Sequence, residues 1–137
     1  MKLKGSCLCN QVSFELEGEP SGFFLCHCSR CRKGSGSAHA ANLFLSNGHL
    51  TWLSGEAQIT RFDLPGSRHA RSFCATCGSP VPLALPEYNL IQIPAGAIDG
   101  ALELIPDAHI FTASRADWDR QLADLPGFPG MPNGDED

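Results

Sequence analysis

Seven cysteines in a chain of 137 residues fall into three groups: Cys7-Leu8-Cys9, Cys26-His27-Cys28-Ser29-Arg30-Cys31 and Cys74-Ala75-Thr76-Cys77-Gly78. An odd count rules out complete disulfide pairing within one chain, and clustered thiols in a reducing compartment more often bind metal or do chemistry than form staples. Residues two apart in an extended segment point to the same side, so Cys7 and Cys9 can offer two sulfurs to one ion from the start of a first strand. The Cys74–Cys77 spacing is a short turn that offers two more, with Gly78 free to take a positive φ. Together these are the four thiolates of a closed, structural zinc site. Cys26, Cys28 and Cys31 remain, three ligands with no fourth cysteine. Zinc on three protein ligands keeps one coordination position for water or substrate, which is the geometry of a catalytic site. Sulfur donors weaken the ion as a Lewis acid but suit a soft ligand, so the trio points to a thiol substrate that coordination would ionise near neutral pH.

Other readings stay open on spacing alone. His27, His39 or His69 could complete a Cys₃His structural site. His27 lies between two ligands, so its side chain is expected to point away from the metal, into a supporting contact or into solvent. The Cys74–Cys77 pair also has the spacing of a thioredoxin-type redox motif, but no βαβ pattern surrounds it. Ser35-Gly36-Ser37 after the trio reads equally as a loop that approaches a ligand or as a simple turn.

The elements that must position these residues are predicted to be strands. In Gln11–Gly18, Val12, Phe14 and Leu16 alternate with polar neighbours. Further strands are predicted over Ala40–Leu45, His49–Leu53, Gln58–Leu64, Ala70–Phe73, Asn89–Pro94 and Ala108–Thr112. Turn chemistry separates them at Gly18-Glu19-Pro20, Ser46-Asn47-Gly48, Ser54-Gly55, Pro65-Gly66 and Asp99-Gly100. Helix is expected only for a turn or two after Cys28 and near Ala116–Leu122, with Ser114 as cap. These features predict a mainly β protein of short antiparallel strands. The length allows one domain with a real core. It is expected to span residues 1–128, followed by an acidic, flexible tail over 129–137.

Hydrophobic residues are 42% of the chain, and no apolar run approaches the ~20 residues of a membrane span, so a soluble protein is expected. The N-terminus has two lysines but no apolar signal-peptide core, which points to the cytoplasm. The formal net charge is −5. Residues 30–71 nevertheless hold Arg30, Arg32, Lys33, Arg61, Arg68 and Arg71 against only Glu56 and Asp63, so the middle of the chain can attract an anion. The acidic total and the lack of aromatic residues among the basic ones argue against nucleic acid as a partner.

Gly5-Ser-Cys-Leu-Cys9, Cys26-His-Cys-Ser-Arg-Cys-Arg-Lys-Gly-Ser-Gly-Ser37, Trp52-Leu-Ser-Gly55, Ser72-Phe-Cys-Ala-Thr-Cys-Gly-Ser-Pro80, Pro94-Ala-Gly96 and His109-Ile-Phe111 with Trp118 together resemble the glutathione-dependent formaldehyde-activating enzyme (GFA) family, the CENP-V/GFA domain. The resemblance runs from about Lys4 to Phe128. It implies a β-tent fold organised around two zinc ions per chain. The structural zinc would sit on Cys7, Cys9, Cys74 and Cys77, and the catalytic zinc on Cys26, Cys28 and Cys31. It also implies carbon–sulfur lyase activity, joining formaldehyde to glutathione as S-hydroxymethylglutathione. Arg30, Arg32, Lys33, Arg68 or Arg71 could hold the carboxylates of such a thiol, and His27, His39 or water could move its proton. His39 stands where relatives carry an apolar or aromatic residue. The rival class is a noncatalytic zinc module with two structural zincs that binds a protein or a small anionic ligand.

Overall fold

The apolar alternation at Val12, Phe14 and Leu16 ends at Gly18, but the strand it opens does not. In the computed structural model, which describes residues 1–135, that strand continues to Cys26 and is the one on which the fold is built. In chain order the elements are β1 (Lys2–Ser6), β2 (Ser13–Cys26), α1 (Ser29–Ser35), β3 (Ala40–Ser54), β4 (Ile59–Asp63), β5 (Ala70–Cys74), β6 (Pro80–Val81), β7 (Leu83–Leu85), β8 (Leu90–Pro94) and β9 (Ala108–Ile110). One sheet has the order β1-β2-β3-β8-β7, with β9 added beside β2, and a second has the order β4-β5-β6. The mainly β, antiparallel expectation holds. The exception is β9, which pairs with β2 in parallel through Phe24↔Ala108, Leu25↔His109 and Cys26↔Ile110.

Several predicted boundaries move, for identifiable reasons. Gly18-Glu19-Pro20 and Ser46-Asn47-Gly48 are not turns. They lie opposite each other within the β2/β3 ladder, at register shifts between Glu17 and Glu19 and between Pro20 and Gly22. Bulges of this kind bend a strand and increase its twist, and turn-forming residues suit them. The strands predicted over Ala40–Leu45 and His49–Leu53 are therefore one continuous β3, and β2 and β3 are long rather than short. The helix predicted after Cys28 forms as α1. That near Ala116–Leu122 does not: Ser114 closes a 3₁₀ turn over Thr112–Ser114, and another follows at Leu122–Asp124. From Phe111 onward large apolar side chains including Trp118 and Leu125 are exposed, so the segment lacks the buried face that stabilises a helix in a protein. The expected flexible tail falls partly on residues 136–137, which lie outside the described residues.

The core sits on one face of the large sheet, where Phe14, Leu16, Phe23, Leu43, Leu45, Ile91 and Ile93 interlock. Phe14 meets Trp52 edge to face, with ring centroids 5.9 Å apart. Leu102, Leu104 and Ile98 pack over this cluster from the irregular segment that leads to β9. A second cluster joins Cys7, Val12, Cys74 and Val81, tying the start of the chain to the small sheet. Among the described residues, no helix is long and apolar enough to cross a membrane.

Gly5 shows how closely the layers meet. A Cβ there would collide with the ring of Phe14 and with the carbonyl oxygen of Ala97. Gly5→Ala therefore overpacks the junction between β1 and the core, and a loss of about 1–3 kcal/mol is expected. A denaturant-unfolding midpoint equal to wild type would refute this.

Candidate metal centres

The first centre is built by two turns. β1 ends at Ser6, and Cys7–Asn10 forms a turn closed by the Asn10 N–H donating to the Cys7 carbonyl at 3.1 Å, with Asn10 at φ 65. The pairing of Cys7 with Cys9 expected from strand alternation is thus made by a turn instead. The Val12 N–H donates to Cys7 Sγ at 3.3 Å, and the Cys7 and Cys9 sulfurs lie 3.5 Å apart. The second turn follows β5. The Gly78 N–H donates to the Cys74 carbonyl at 2.7 Å, and Gly78 takes φ +76, as its lack of a Cβ allows. The Leu8 N–H donates to Ser79 Oγ at 3.0 Å and locks one turn onto the other. All four sulfurs then lie within 4.8 Å of one another, with Cys9 and Cys74 at 3.8 Å. Four sulfurs at Zn–S bonds of ~2.3 Å in a tetrahedron stand ~3.8 Å apart, so the donor set fits zinc.

The second centre grows from the end of β2 and the start of α1. Cys26 closes the β2 ladder opposite Ala40. Cys28 is the N-cap of α1, its sulfur accepting the Cys31 N–H at 3.3 Å, and Cys31 lies in the first turn. Gly36 ends the helix at φ 68. The Ser35 hydroxyl donates to the Cys31 carbonyl at 2.7 Å and accepts the Ser37 N–H at 3.3 Å, so Ser35-Gly36-Ser37 is a turn that satisfies itself. The sulfurs of Cys26, Cys28 and Cys31 lie within 4.8 Å of one another, and among the described residues no histidine or carboxylate joins them.

Proton affinities in both centres are spread apart by the crowding of sulfurs. Hydrogen bonds from the Ser79 hydroxyl and N–H hold Cys77 down at about 5. Cys9 is pushed up to about 12: the Gln11 N–H favours its thiolate, but desolvation and the neighbouring thiols outweigh it. In the second centre burial raises Cys31, with Cys28 and Cys26 adding to the rise, while Cys28 is lowered despite burial by the Cys31 N–H and the adjacent thiols. Like charges this close do not all ionise unless a cation compensates them.

His27 is completely buried, which excludes the solvent-facing alternative. Its Nε2 shares a hydrogen bond with His109 Nδ1 at 2.8 Å. Its Nδ1 lies 3.1 Å from Asp119 Oδ2, an electrostatic contact whose angle falls short of a hydrogen bond, and Arg115 Nε stands 3.2 Å from the same oxygen. The His27 N–H also donates to the Ile110 carbonyl at 2.9 Å. Burial, the largest influence, lowers the His27 pKa against the pull of Asp119 and keeps the ring neutral. His27 therefore anchors the metal loop to the C-terminal segment. His109 and Asp119 were missed as partners because only the β9 pairing brings the first there, and only the turn beyond it the second.

A groove of about 850 Å³ opens between the two sheets and reaches Cys31 and His39. Gly34, one turn beyond Cys31, lies beside the groove's basic residues: a Cβ there would make ordinary contacts with His69 Nε2 at 3.6 Å and Arg71 Cδ at 3.8 Å. Of the basic residues expected to hold an anion, Arg68 and Arg71 line the groove. Arg30, Arg32 and Lys33 do not, and Arg32 donates to the Ser114 carbonyl at 3.0 Å. Arg61 also lines the groove but is taken by both carboxylate oxygens of Asp63 at 3.0–3.2 Å.

The chain matches the family model described as glutathione-dependent formaldehyde-activating enzyme over residues 2–114. The crystal structure of a Rhodobacter sphaeroides protein superposes with a TM-score of 0.51 at 26% identity, covering 74% of this chain and 92% of that one. No match is found among curated proteins.

In metal-free protein, Cys77 is expected to alkylate first with iodoacetamide and Cys31 among the last. Cys77 is ionised above about 5, so its rate should fall as the pH drops through that value. Peptide mass spectrometry after brief labelling checks this, and equal labelling of Cys77 and Cys31 at pH 7 would contradict it.

Proposed function

This chain belongs to the glutathione-dependent formaldehyde-activating enzyme family, and from that premise we propose that it is a zinc-dependent carbon–sulfur lyase that joins and separates a glutathione-like thiol and an aldehyde. The observation that carries the reading is the contrast between the two sulfur clusters. One has four donors and is packed into the apolar cluster with Val12 and Val81. The other has three and borders a groove with cationic side chains.

In this reading Cys7, Cys9, Cys74 and Cys77 would hold a structural zinc, and Cys26, Cys28 and Cys31 a catalytic one. Three thiolate ligands would leave such an ion a position for an incoming thiol, whose proton affinity it would lower toward neutral pH. Arg68 and Arg71 draw in the carboxylates of an anionic thiol and keep its sulfur end toward Cys31. His27 is completely buried and hydrogen-bonded through Nε2 to His109, so it positions the metal loop rather than moving protons. His39, which lines the groove, or a water beside it takes the thiol proton and returns it to the aldehyde oxygen. The thiolate attacks the carbonyl carbon, the C–S bond forms, and the carbonyl electron pair passes to the oxygen that takes the proton. Cleavage runs the same steps backwards.

Two zincs per chain are expected by metal analysis. Cys31→Ser should lower this to about one with the far-ultraviolet spectrum retained, whereas Cys74→Ser should abolish cooperative unfolding, because the four-sulfur centre joins the two sheets. Collapse of both variants alike would favour two structural zincs and a noncatalytic module. For activity, glutathione and formaldehyde are mixed with protein, and adduct exchange is followed by NMR. Exchange should exceed the spontaneous rate and fall to it in Cys31→Ser. No acceleration by wild type would remove this substrate pair.

A further inference from the structure

The two walls of the groove differ in chemistry. The wall from the small sheet presents His69, Arg68 and Arg71, with Arg71 held over the Phe73 ring at 5.2 Å. The opposite wall comes from the large sheet, on the face turned away from the core. Ala40, Pro94, Leu83 and Leu85 line it, interrupted by the polar side chains of Asn42 and Gln92, and Tyr88 also borders the groove. Strand register spaces these residues. Ala40 stands opposite Cys26, Asn42 opposite Pro94, Phe44 opposite Gln92, and Gln92 opposite Leu83. From Ala40 to Leu83 is four residues along β3 and two strands across, ~16 Å at normal strand spacings. An extended tripeptide thiol spans ~10 Å and has carboxylates, amides and an amine. It suits the cationic wall and has nothing to place against Leu83, Leu85 or Tyr88. Formaldehyde has one carbon and cannot touch them.

We infer that the aldehyde this groove is built to take carries an elongated apolar chain, which lies along the Ala40–Pro94–Leu83–Leu85 wall while the anionic thiol lies along the Arg68–Arg71 wall. The inference rests on the lyase reading and specifies its electrophile. It adds no reactant to the balance: the C–S bond forms at the carbonyl carbon, and the chain beyond that carbon only binds. Differential burial of the chain supplies the selectivity, since one methylene in an apolar pocket changes kcat/KM by about tenfold or more.

Two measurements test it. Adduct exchange with glutathione is compared for formaldehyde, acetaldehyde and octanal. The expected result is a kcat/KM for octanal at least tenfold above that for acetaldehyde, with this ratio reduced at least fivefold in Leu85→Asn and in Tyr88→Ala. Both positions are partly or wholly exposed, so both variants should fold. Separately, methyl-labelled protein is titrated with octanamide, which cannot react, and with acetamide. Saturable shifts of the Leu83 and Leu85 methyls with octanamide alone are expected, and they should be lost from Leu83 in Leu85→Asn. Turnover that does not depend on chain length, with no methyl shifts, would overturn the inference and leave the lyase reading intact. Failure of every aldehyde to react would end the lyase reading, and the octanamide titration would then decide whether the apolar wall binds chains at all.

Discussion

The bent antiparallel ladder between β2 and β3 is the constraint on which the rest of the molecule depends. One end of β2 follows the Cys7–Val12 turn and the other is Cys26, so both sulfur clusters hang from the same strand. Drawn straight, its fourteen residues would keep those ends more than ~40 Å apart. The register shifts around Glu17–Gly22 break that line, and Ser6 and Cys7 border the same groove as Cys31. Without the bend there would be no single groove.

The remaining elements follow from where that ladder leaves space. The small sheet leans against the large one and is tied to the N-terminus by the Leu8–Ser79 hydrogen bond and the four-sulfur cluster. β9 adds a parallel strand at the Cys26 end and brings His109 to His27, and the turn beyond it brings Asp119 and Arg115. The loop that carries three sulfurs is thereby held from behind by neutral and charged partners, while Cys31 lines the groove. A buried ring hydrogen-bonded through Nε2 is costly to disturb, because removing His109 strands that nitrogen away from water. That rigidity is what a site with an open coordination position would need.

Much of the candidate site was legible from residue spacing. The partition of seven cysteines into four and three needed only ligand counting, and the sulfur clusters follow that partition. The short helix after Cys28 and the glycine at position 78 were readable from turn and helix chemistry. The Cys7–Cys9 approach was assigned to the wrong local geometry, since a turn and a strand can both bring residues two apart together. The merged β3 was missed because Asn47-Gly48 reads as a hairpin turn until a partner strand with its own irregularity lies opposite. The helix near Ala116–Leu122 failed because its large apolar residues, Trp118 and Leu122, find no surface to cover.

By itself the sequence determined the donor chemistry, the strand-rich class and the family, since these reside in residue identity and short spacing. Only the tertiary structure decided which basic residues reach the groove, that His27 is a buried anchor, and that the groove has one cationic and one mainly apolar wall. Those depend on strand register and sheet packing, in which residues forty or more positions apart become neighbours, and no local pattern encodes which of them will meet.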